Sequence, residues 1–237
     1  MARQITLQHI EKLTPDTYLL RYDCPDDFTW TPGQATDLAF DLPGIADEKR
    51  PFTFSSLPGD PRLDFVIKSY PEDHPDHDGV TARLPDLRPG DTAQMGAPWG
   101  AIADHGPGTF IAGGAGITPF IPILRAHAQS GRMKCRLIFA NTAAEDIILR
   151  AEWDAMDGLE TVYVTDAKDD DKRTGPVDVQ LLRASVPDFS GTFYLCGPPP
   201  MVKAVTEALT ECGVGGDQIV TENRPSQEER AAYFKAA

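Results

Sequence analysis

The chain has 237 residues, 41% of them hydrophobic and 24% charged, with a formal net charge of −14 at pH 7. That length suits one large domain or two of about 100–150 residues, with enough apolar residues to bury a real core. The acidic balance argues against nucleic acid or an anionic membrane as partner, and no apolar stretch reaches the ~18 residues of a membrane helix.

Met1–Gln4 leads straight into an alternating segment and lacks the apolar core of a signal peptide, so a cytoplasmic location is expected. Short β-type runs follow at Gln4–His9, Thr17–Tyr22, Thr36–Phe40, Leu63–Lys68 and Thr92–Gly96, separated by Gly- and Pro-rich turns. One helix is expected at Val80–Leu87, after the turn Asp78-Gly79. Strands punctuated in this way predict a small antiparallel barrel over residues 1–103. The segment Asp104–Gly108 is the natural boundary. Beyond it, strands at Thr109–Ala112, Arg136–Ala140, Thr161–Val164, Thr192–Cys196 and Ile219–Thr221 alternate with helices at Pro119–Gln129, Ala144–Met156 and Pro200–Cys212. That alternation predicts a parallel sheet wrapped by helices over residues 107–237. The acidic stretch Asp166–Lys172 and the tail after Pro225 read as solvated segments. The cysteines Cys24, Cys135, Cys196 and Cys212 stand far apart without a CxxC pair, so no zinc site, iron–sulfur cluster or disulfide framework is expected.

Three motifs carry chemistry. Gly113-Gly114-Ala115-Gly116-Ile117-Thr118-Pro119 follows a strand and opens a helix, the arrangement that brings backbone N–H groups to a pyrophosphate. Thr118 suits an N-cap and Pro119 a first helical residue. A tight strand–helix turn without a ligand is an equal reading of this loop alone. Arg50-Pro51-Phe52-Thr53 sets a planar cationic fork two residues from an aromatic and three from a hydroxyl, a set able to hold a phosphate and a flat ring. Taken alone, a strand with an exposed Arg and a core Phe is the weightier reading. The third motif, Cys196-Gly197-Pro198-Pro199-Pro200-Met201, ends a strand at the edge where α/β sheets bind ligands. A buried Cys196 acting as a small hydrophobe is the plainer alternative.

In this order and spacing the three motifs resemble the ferredoxin–NADP(+) reductase family, and the resemblance covers nearly the whole chain. It implies an N-terminal flavin-binding β-barrel followed by an α/β domain for a nicotinamide nucleotide, without an iron–sulfur domain. It further implies that Arg50 and its neighbour Pro51 form the flavin-phosphate motif, that Phe52 faces the isoalloxazine and that Thr53 bonds flavin N5. Ile67, Lys68, Ser69 and Tyr70 match the strand end that lines the flavin's nucleotide portion, and Gly79-Val80-Thr81 the turn that meets its pyrophosphate. Gly113, Gly114, Ala115, Gly116, Ile117 and Thr118 match the nucleotide loop. Asn141, Thr165 and Asp166 stand at strand ends near the adenosine ribose. Cys196, Gly197, Pro198, Pro199 and Met201 match the Cys-Gly-Pro-Pro signature beside the nicotinamide, and Glu222 the acidic residue near the chain end. Thr53, Cys196 and Glu222 are therefore the expected catalytic set, with no metal. Phe52 replaces a more usual tyrosine, and Arg224 stands where many members carry an aromatic. Tyr233 and Phe234 in the tail either cover the flavin or form the apolar face of an amphipathic tail.

The expected cofactor is FAD, because Tyr70 is available to an adenine, and the co-substrate is NADH or NADPH. Asp166 would accept from a ribose hydroxyl and repel a phosphate, which favours NADH, while Lys168, Lys172 and Arg173 could favour NADPH. The expected acceptor is a flavodoxin or ferredoxin. The alternatives are a diffusible acceptor such as free flavin, a quinone or a ferric chelate, and a non-enzymatic flavin- or nucleotide-binding subunit.

Overall fold

The computed structural model describes residues 2–74, 79–131, 133–166, 173–223 and 225–236. The chain divides into two compact units, Met1–Ala103 with Asn223–Ala237, and Asp104–Glu222.

The first unit is built on β1 (Arg3–Thr14), β2 (Thr17–Asp23), β3 (Ala35–Phe40), β4 (Arg50–Thr53), β5 (Arg62–Lys68) and β6 (Thr92–Met95). Their order is β4-β3-β6-β1-β2-β5, with every neighbouring pair antiparallel. Just past β4, Phe54 bridges to Phe65 of β5, and the Ser55 N–H donates to the Asp64 carbonyl at 2.8 Å. The two outer strands thus meet and the sheet closes into a barrel, which satisfies edges that would otherwise stay open. Its interior is filled by Ile5, Leu20, Phe40, Leu63, Phe65 and Met95, all at most 1% exposed. Trp30 stacks on Phe54 at 5.2 Å between ring centroids.

Every residue of β3 is buried, including Thr36 and Asp37. The reason is the C-terminal helix, Gln227–Ala236, which packs on this strand. Arg230 Nε donates to Asp37 at 3.2 Å, and Trp99 Nε1 donates to the other Asp37 oxygen at 3.1 Å. The Ala97 N–H donates to the Tyr233 carbonyl, the Asn223 N–H to that of Ala101, and Phe234 lies against Gly96. The expectation that residues 107–237 form one unit therefore needs correction at its end. Residues 223–237 belong with the barrel because a buried carboxylate on β3 requires a cationic partner, and Arg230 supplies it. Phe234 sits under the Lys49 ammonium, 4.3 Å from ring centroid to Nζ, while Tyr233 stays exposed. The helix expected at Val80–Leu87 is a 3-10 helix, Val80–Asp86. Pro85 lacks the N–H that an α-helical ladder would use.

The second unit carries β7 (Gly108–Gly113), α1 (Phe120–Gln129), β8 (Cys135–Asn141), α2 (Arg150–Ala155), β9 (Leu159–Thr165), β10 (Arg173–Thr174), α3 (Val179–Ser185), β11 (Thr192–Cys196), α4 (Pro199–Glu211) and β12 (Ile219–Thr221). The order is β10-β9-β8-β7-β11-β12, parallel throughout. Ile111, Ile138, Phe193 and Leu195 form the middle of its core. Such near-continuous apolar strands are what a sheet covered on both faces demands. Two expectations shift here. The helix read at Ala144–Met156 is a 3-10 turn at Ala144–Asp146 and a short α2, because Leu149 between them adopts a left-handed φ of +55°. The helix α3 was not foreseen, although Asp178 caps it by accepting from the Leu181 N–H at 2.8 Å.

At the amino-terminal edge of this sheet, buried His127 bridges Asp104 and Cys135, with Nε2 2.9 Å from Asp104 Oδ2 and Nδ1 3.3 Å from Cys135 Sγ. The Tyr194 hydroxyl donates to the Gly106 carbonyl and accepts from the His105 N–H. Burial pushes the Tyr194 pKa up to about 12 and raises the Cys135 thiol as well. These contacts pin the chain entering β7, at the end opposite the strands' carboxyl termini. Among the described residues no helix is long and apolar enough to cross a membrane, and no cluster of His, Cys, Asp and Glu is arranged for a metal. All four cysteines are free thiols.

Candidate functional site

In the first unit the candidate residues lie on β4 and at the end of β5. Arg50 opens β4 opposite Leu38, and Thr53 ends it opposite Ala35. The Arg50 guanidinium donates to the Lys49 carbonyl at 2.7 Å and to the Glu48 carboxylate at 3.1 Å. Phe52 is half-buried against Phe40, with ring centroids 5.9 Å apart. Its flat side chain is thus held from one side by the barrel.

At the end of β5 the four consecutive candidates divide. Ile67 is 3% exposed and belongs to the barrel core, so only its backbone can face a ligand. Lys68 pairs with Asp16 at 2.9 Å, and its Nζ lies 5.8 Å from the Tyr70 ring centroid. Burial works to raise the Asp16 pKa, but the Lys68 hydrogen bond and charge, with the Thr17 and Thr14 hydroxyls, hold it below the usual value. Tyr70 meets His74 edge to face at 5.2 Å, and its N–H donates to the Thr81 hydroxyl at 3.2 Å. Gly79 turns the chain with φ +82°, and Val80 plugs into the core beside it. Between these elements opens a cleft of about 510 Å³ lined by Asp16, Tyr18, Lys68, Tyr70, His74 and Ala82. A cavity of this size with aromatic walls and a cation fits the nucleotide end of a dinucleotide. Asp16, Tyr18 and His74 carry no motif and were not foreseen; pairing of β2 with β5 brings Tyr18 beside Ile67.

In the second unit the sheet register does the assembling. Ala112 pairs with Cys196, Gly113 with Ala140, Asn141 with Thr165, and Leu195 with Thr221. Parallel strands end on the same side, so the glycine turn, Asn141, Thr165, Asp166, the Cys196–Met201 turn and Glu222 gather at one edge. There the two motifs interlock. A Cβ on Gly116 would stand 2.5 Å from the Cys196 carbonyl carbon, and one on Gly113 would stand 3.0 Å from Pro198 Cδ and press on Met201 Sδ. Gly116 is required because backbone crosses backbone there, and Gly113 because the Met201 and Pro198 side chains close on it, whereas Gly114, with φ +51°, faces open space. The expected Thr118 cap is not formed. Gly114–Ile117 is already a 3-10 turn, Thr118 has helical dihedrals, and α1 begins at Phe120. An N-cap needs an extended backbone to turn its oxygen back onto the helix.

Ile117 is fully buried and anchors the turn, and Cys196 is 9% exposed. Asn141 is 8% exposed, and its amide nitrogen and oxygen have no hydrogen-bond partner among the described residues. The Asp166 N–H donates to the Thr142 carbonyl at 3.2 Å, joining the turns that leave β8 and β9. Asp166 itself is exposed. Lys168 and Lys172 lie outside the described residues, as does Arg224; Arg173 is described by its backbone alone. A half-buried glycine turn and an exposed acidic residue at one sheet edge fit a dinucleotide.

Residues 110–207 match the family model of the oxidoreductase NAD-binding domain. The chain is 30% identical over 220 residues to NADH-cytochrome b5 reductase 1 of Coccidioides immitis, covering 83% of this chain and 70% of that protein. It is 28% identical over 230 residues to the reductase component of propane 2-monooxygenase from Gordonia sp., covering 89% and 64%. In fold it is similar to the FAD/NAD-binding domain of nitric oxide dioxygenase from Vibrio cholerae, with a TM-score of 0.82 at 21% identity over 92% and 96% of the two chains. It is also similar to a ferredoxin NADP+ reductase from Neisseria gonorrhoeae with bound FAD and NADP, with a TM-score of 0.76 at 22% identity over 90% and 92%.

Proposed function

The chain belongs to the ferredoxin–NADP(+) reductase-like flavoproteins and is an NAD(P)H-dependent, FAD-binding oxidoreductase, and on that premise we propose that it oxidises NADH and delivers the electrons singly to a haem protein of the cytochrome b5 kind. The observation that carries this reading is the single sheet edge holding the glycine turn, the Cys196 turn, Asn141, Asp166 and Glu222. Bound FAD supplies the two-electron to one-electron conversion: one hydride reduces two acceptor molecules and leaves one proton.

The barrel unit is the flavin-binding half and the parallel-sheet unit the nucleotide-binding half. Arg50 exchanges its Glu48 partner for the flavin phosphate, Phe52 offers a ring face, and the Thr53 hydroxyl orients N5. Lys68, Ser69 and Tyr70, with the backbone of Ile67, receive the adenosine end, and the turn Gly79–Thr81 the pyrophosphate. In the other half, the turn Gly113–Thr118 presents N–H groups to the nucleotide's pyrophosphate, and Thr165 backs the ribose site. Cys196 and the Gly197-Pro198-Pro199 turn, braced by Met201, fill the wall beside the nicotinamide, and Glu222 sets its polarity. Asp166 favours NADH by repelling a second phosphate, and relatives named for NADH support the same choice.

Those names also support cytochrome b5 in place of the flavodoxin or ferredoxin expected from the motifs. A second reading, a small diffusible acceptor, is favoured by the charge. The barrel unit has 12 Lys and Arg against 19 Asp and Glu, and the other unit 10 against 17, so neither half is basic. An acidic protein carrier would meet repulsion from both. Purified protein should be yellow and should bleach with NADH under argon. Reoxidation by cytochrome b5, ferredoxin, flavodoxin, free flavin, a quinone and a ferric chelate is then compared at fixed salt. Bleaching with fastest reoxidation by free flavin, the quinone or the ferric chelate selects the second reading, fastest reoxidation by ferredoxin or flavodoxin defeats both, and so does protein that binds no flavin.

A further inference from the structure

The C-terminal helix is held by two residues. From Gln227 to Phe234 only Arg230 and Phe234 are part-buried, and the rest, Tyr233 included, are exposed. Four residues apart, the two share one face of the helix. Arg230 spans the buried Asp37 carboxylate and the Trp99 ring, its guanidinium carbon 5.7 Å from the ring centroid. Phe234 packs on Gly96, where an added Cβ would stand 3.1 Å from Phe234 Cδ2, and offers its ring to the Lys49 ammonium at 4.3 Å. A helix without an apolar stripe contributes little by burial, so what matters is where these two anchors sit. Asp37 pairs with Pro51, inside the flavin motif, and Lys49 immediately precedes Arg50.

Strand β4 is weakly held by its own ladder. It is four residues long, it pairs along β3 alone, and Pro51 has no N–H to give. Lys49 stands just outside that ladder, and its carbonyl accepts from Arg50 Nη1 at 2.7 Å. The carbonyl that aims the guanidinium therefore belongs to the residue whose ammonium rests on Phe234.

We propose that Phe234 is a positioning residue for flavin binding: through Lys49 it fixes the peptide that orients Arg50 toward the flavin phosphate. This rests on the reading of Arg50 as the phosphate ligand. A cation over a ring face is attracted by the ring's quadrupole, which an aliphatic side chain cannot supply. With the ring in place, Arg50 releases Glu48 for a phosphate and keeps its bond to the Lys49 carbonyl. Without the ring, Lys49 swings free and the guanidinium must be ordered at the moment of binding, which weakens affinity. The tail then belongs to the flavin-binding half in function as well as in packing.

The test measures the FAD dissociation constant of the full chain, stripped of flavin, for Phe234→Leu, Phe234→Tyr, Arg50→Ala and the double variant Phe234→Leu with Arg50→Ala. Leucine keeps an apolar contact with Gly96 and removes the ring face. It should weaken FAD binding by about two- to fivefold, the share of an exposed cation–ring contact. Tyrosine keeps the face and should match the parent. On the Arg50→Ala background leucine should change nothing further, because the guanidinium that it positions is gone. A merely structural loss would instead lower FAD affinity on either background, in step with the thermal midpoint. Unchanged or tighter binding with leucine, tyrosine as weak as leucine, or an undiminished loss on the Arg50→Ala background would each overturn the proposal. If Arg50→Ala binds FAD as tightly as the parent, or the parent binds none, the flavin-phosphate reading itself falls.

Discussion

The two halves prepare for their ligands in opposite ways. In the barrel the candidate groups are charged or aromatic side chains already engaged with one another: Arg50 with Glu48, Lys68 with Asp16, and the Thr81 hydroxyl with the Tyr70 N–H. In the parallel-sheet unit the candidate edge is mostly backbone, two glycines closed against the Cys196–Pro198 turn, with one unspent amide beside them. On the proposed reading, the barrel half would recognise by side chains that exchange partners, and the other half by a preformed backbone surface. Substitutions should consequently change affinity in the first and architecture in the second.

The largest effect belongs to the interlocked turns. Gly116→Ala puts a methyl into the Cys196–Gly197 backbone and should destabilise the second unit by about 4 kcal/mol or more, read by urea denaturation. Gly114→Ala, which meets only open space but must hold a positive φ, should cost about 1–2 kcal/mol. Equal costs would mean that the turns do not interlock. Next in size is the tail. Arg230→Ala strands a buried Asp37 carboxylate and should cost about 3 kcal/mol, with the C-terminal helix becoming accessible to limited proteolysis. An unchanged digestion pattern would show that the helix docks without this pair.

Arg50→Ala tests the barrel side of the comparison. It should leave the melting of the flavin-free protein nearly unchanged and weaken FAD binding by one to two decades, since each charge-assisted bond is worth about 1.5–3 kcal/mol. Chromatography of the heat-released cofactor should recover FAD; FMN alone would contradict the dinucleotide reading of the cleft. The smallest effect is a pH dependence. The Asp16 pKa is depressed in the fold, so its contribution is present above its unfolded value of about 3.8 and is lost as pH falls through the lower folded value. Partial exposure limits it to less than about 1 kcal/mol. Comparing acid denaturation of the parent with Asp16→Asn should show convergence at low pH, and a difference that grows there would reverse the sign.

Much of this could be read from the chain itself, and the reason is locality. Alternation of short strands and turns, the later β/α rhythm, and a Gly113–Pro119 loop between a strand and a helix are properties of neighbouring residues. The order of motifs carried the family and its cofactors for the same reason. What pairing at long range decides was not legible. The alternation of Leu63, Phe65 and Ile67 marks Ile67 as core, but that Lys68 and Tyr70 line a cleft with Tyr18 becomes visible only once β2 pairs with β5. The 3-10 turn that displaces the Thr118 cap is packed against Cys196 and Gly197, and the return of residues 223–237 to the barrel rests on Asp37, both far away in sequence. Asn141 shows the division most clearly. Its position at a strand end was readable, but only the packed sheet could leave its amide buried and unbonded, because burial is a property of the whole neighbourhood and not of the residue.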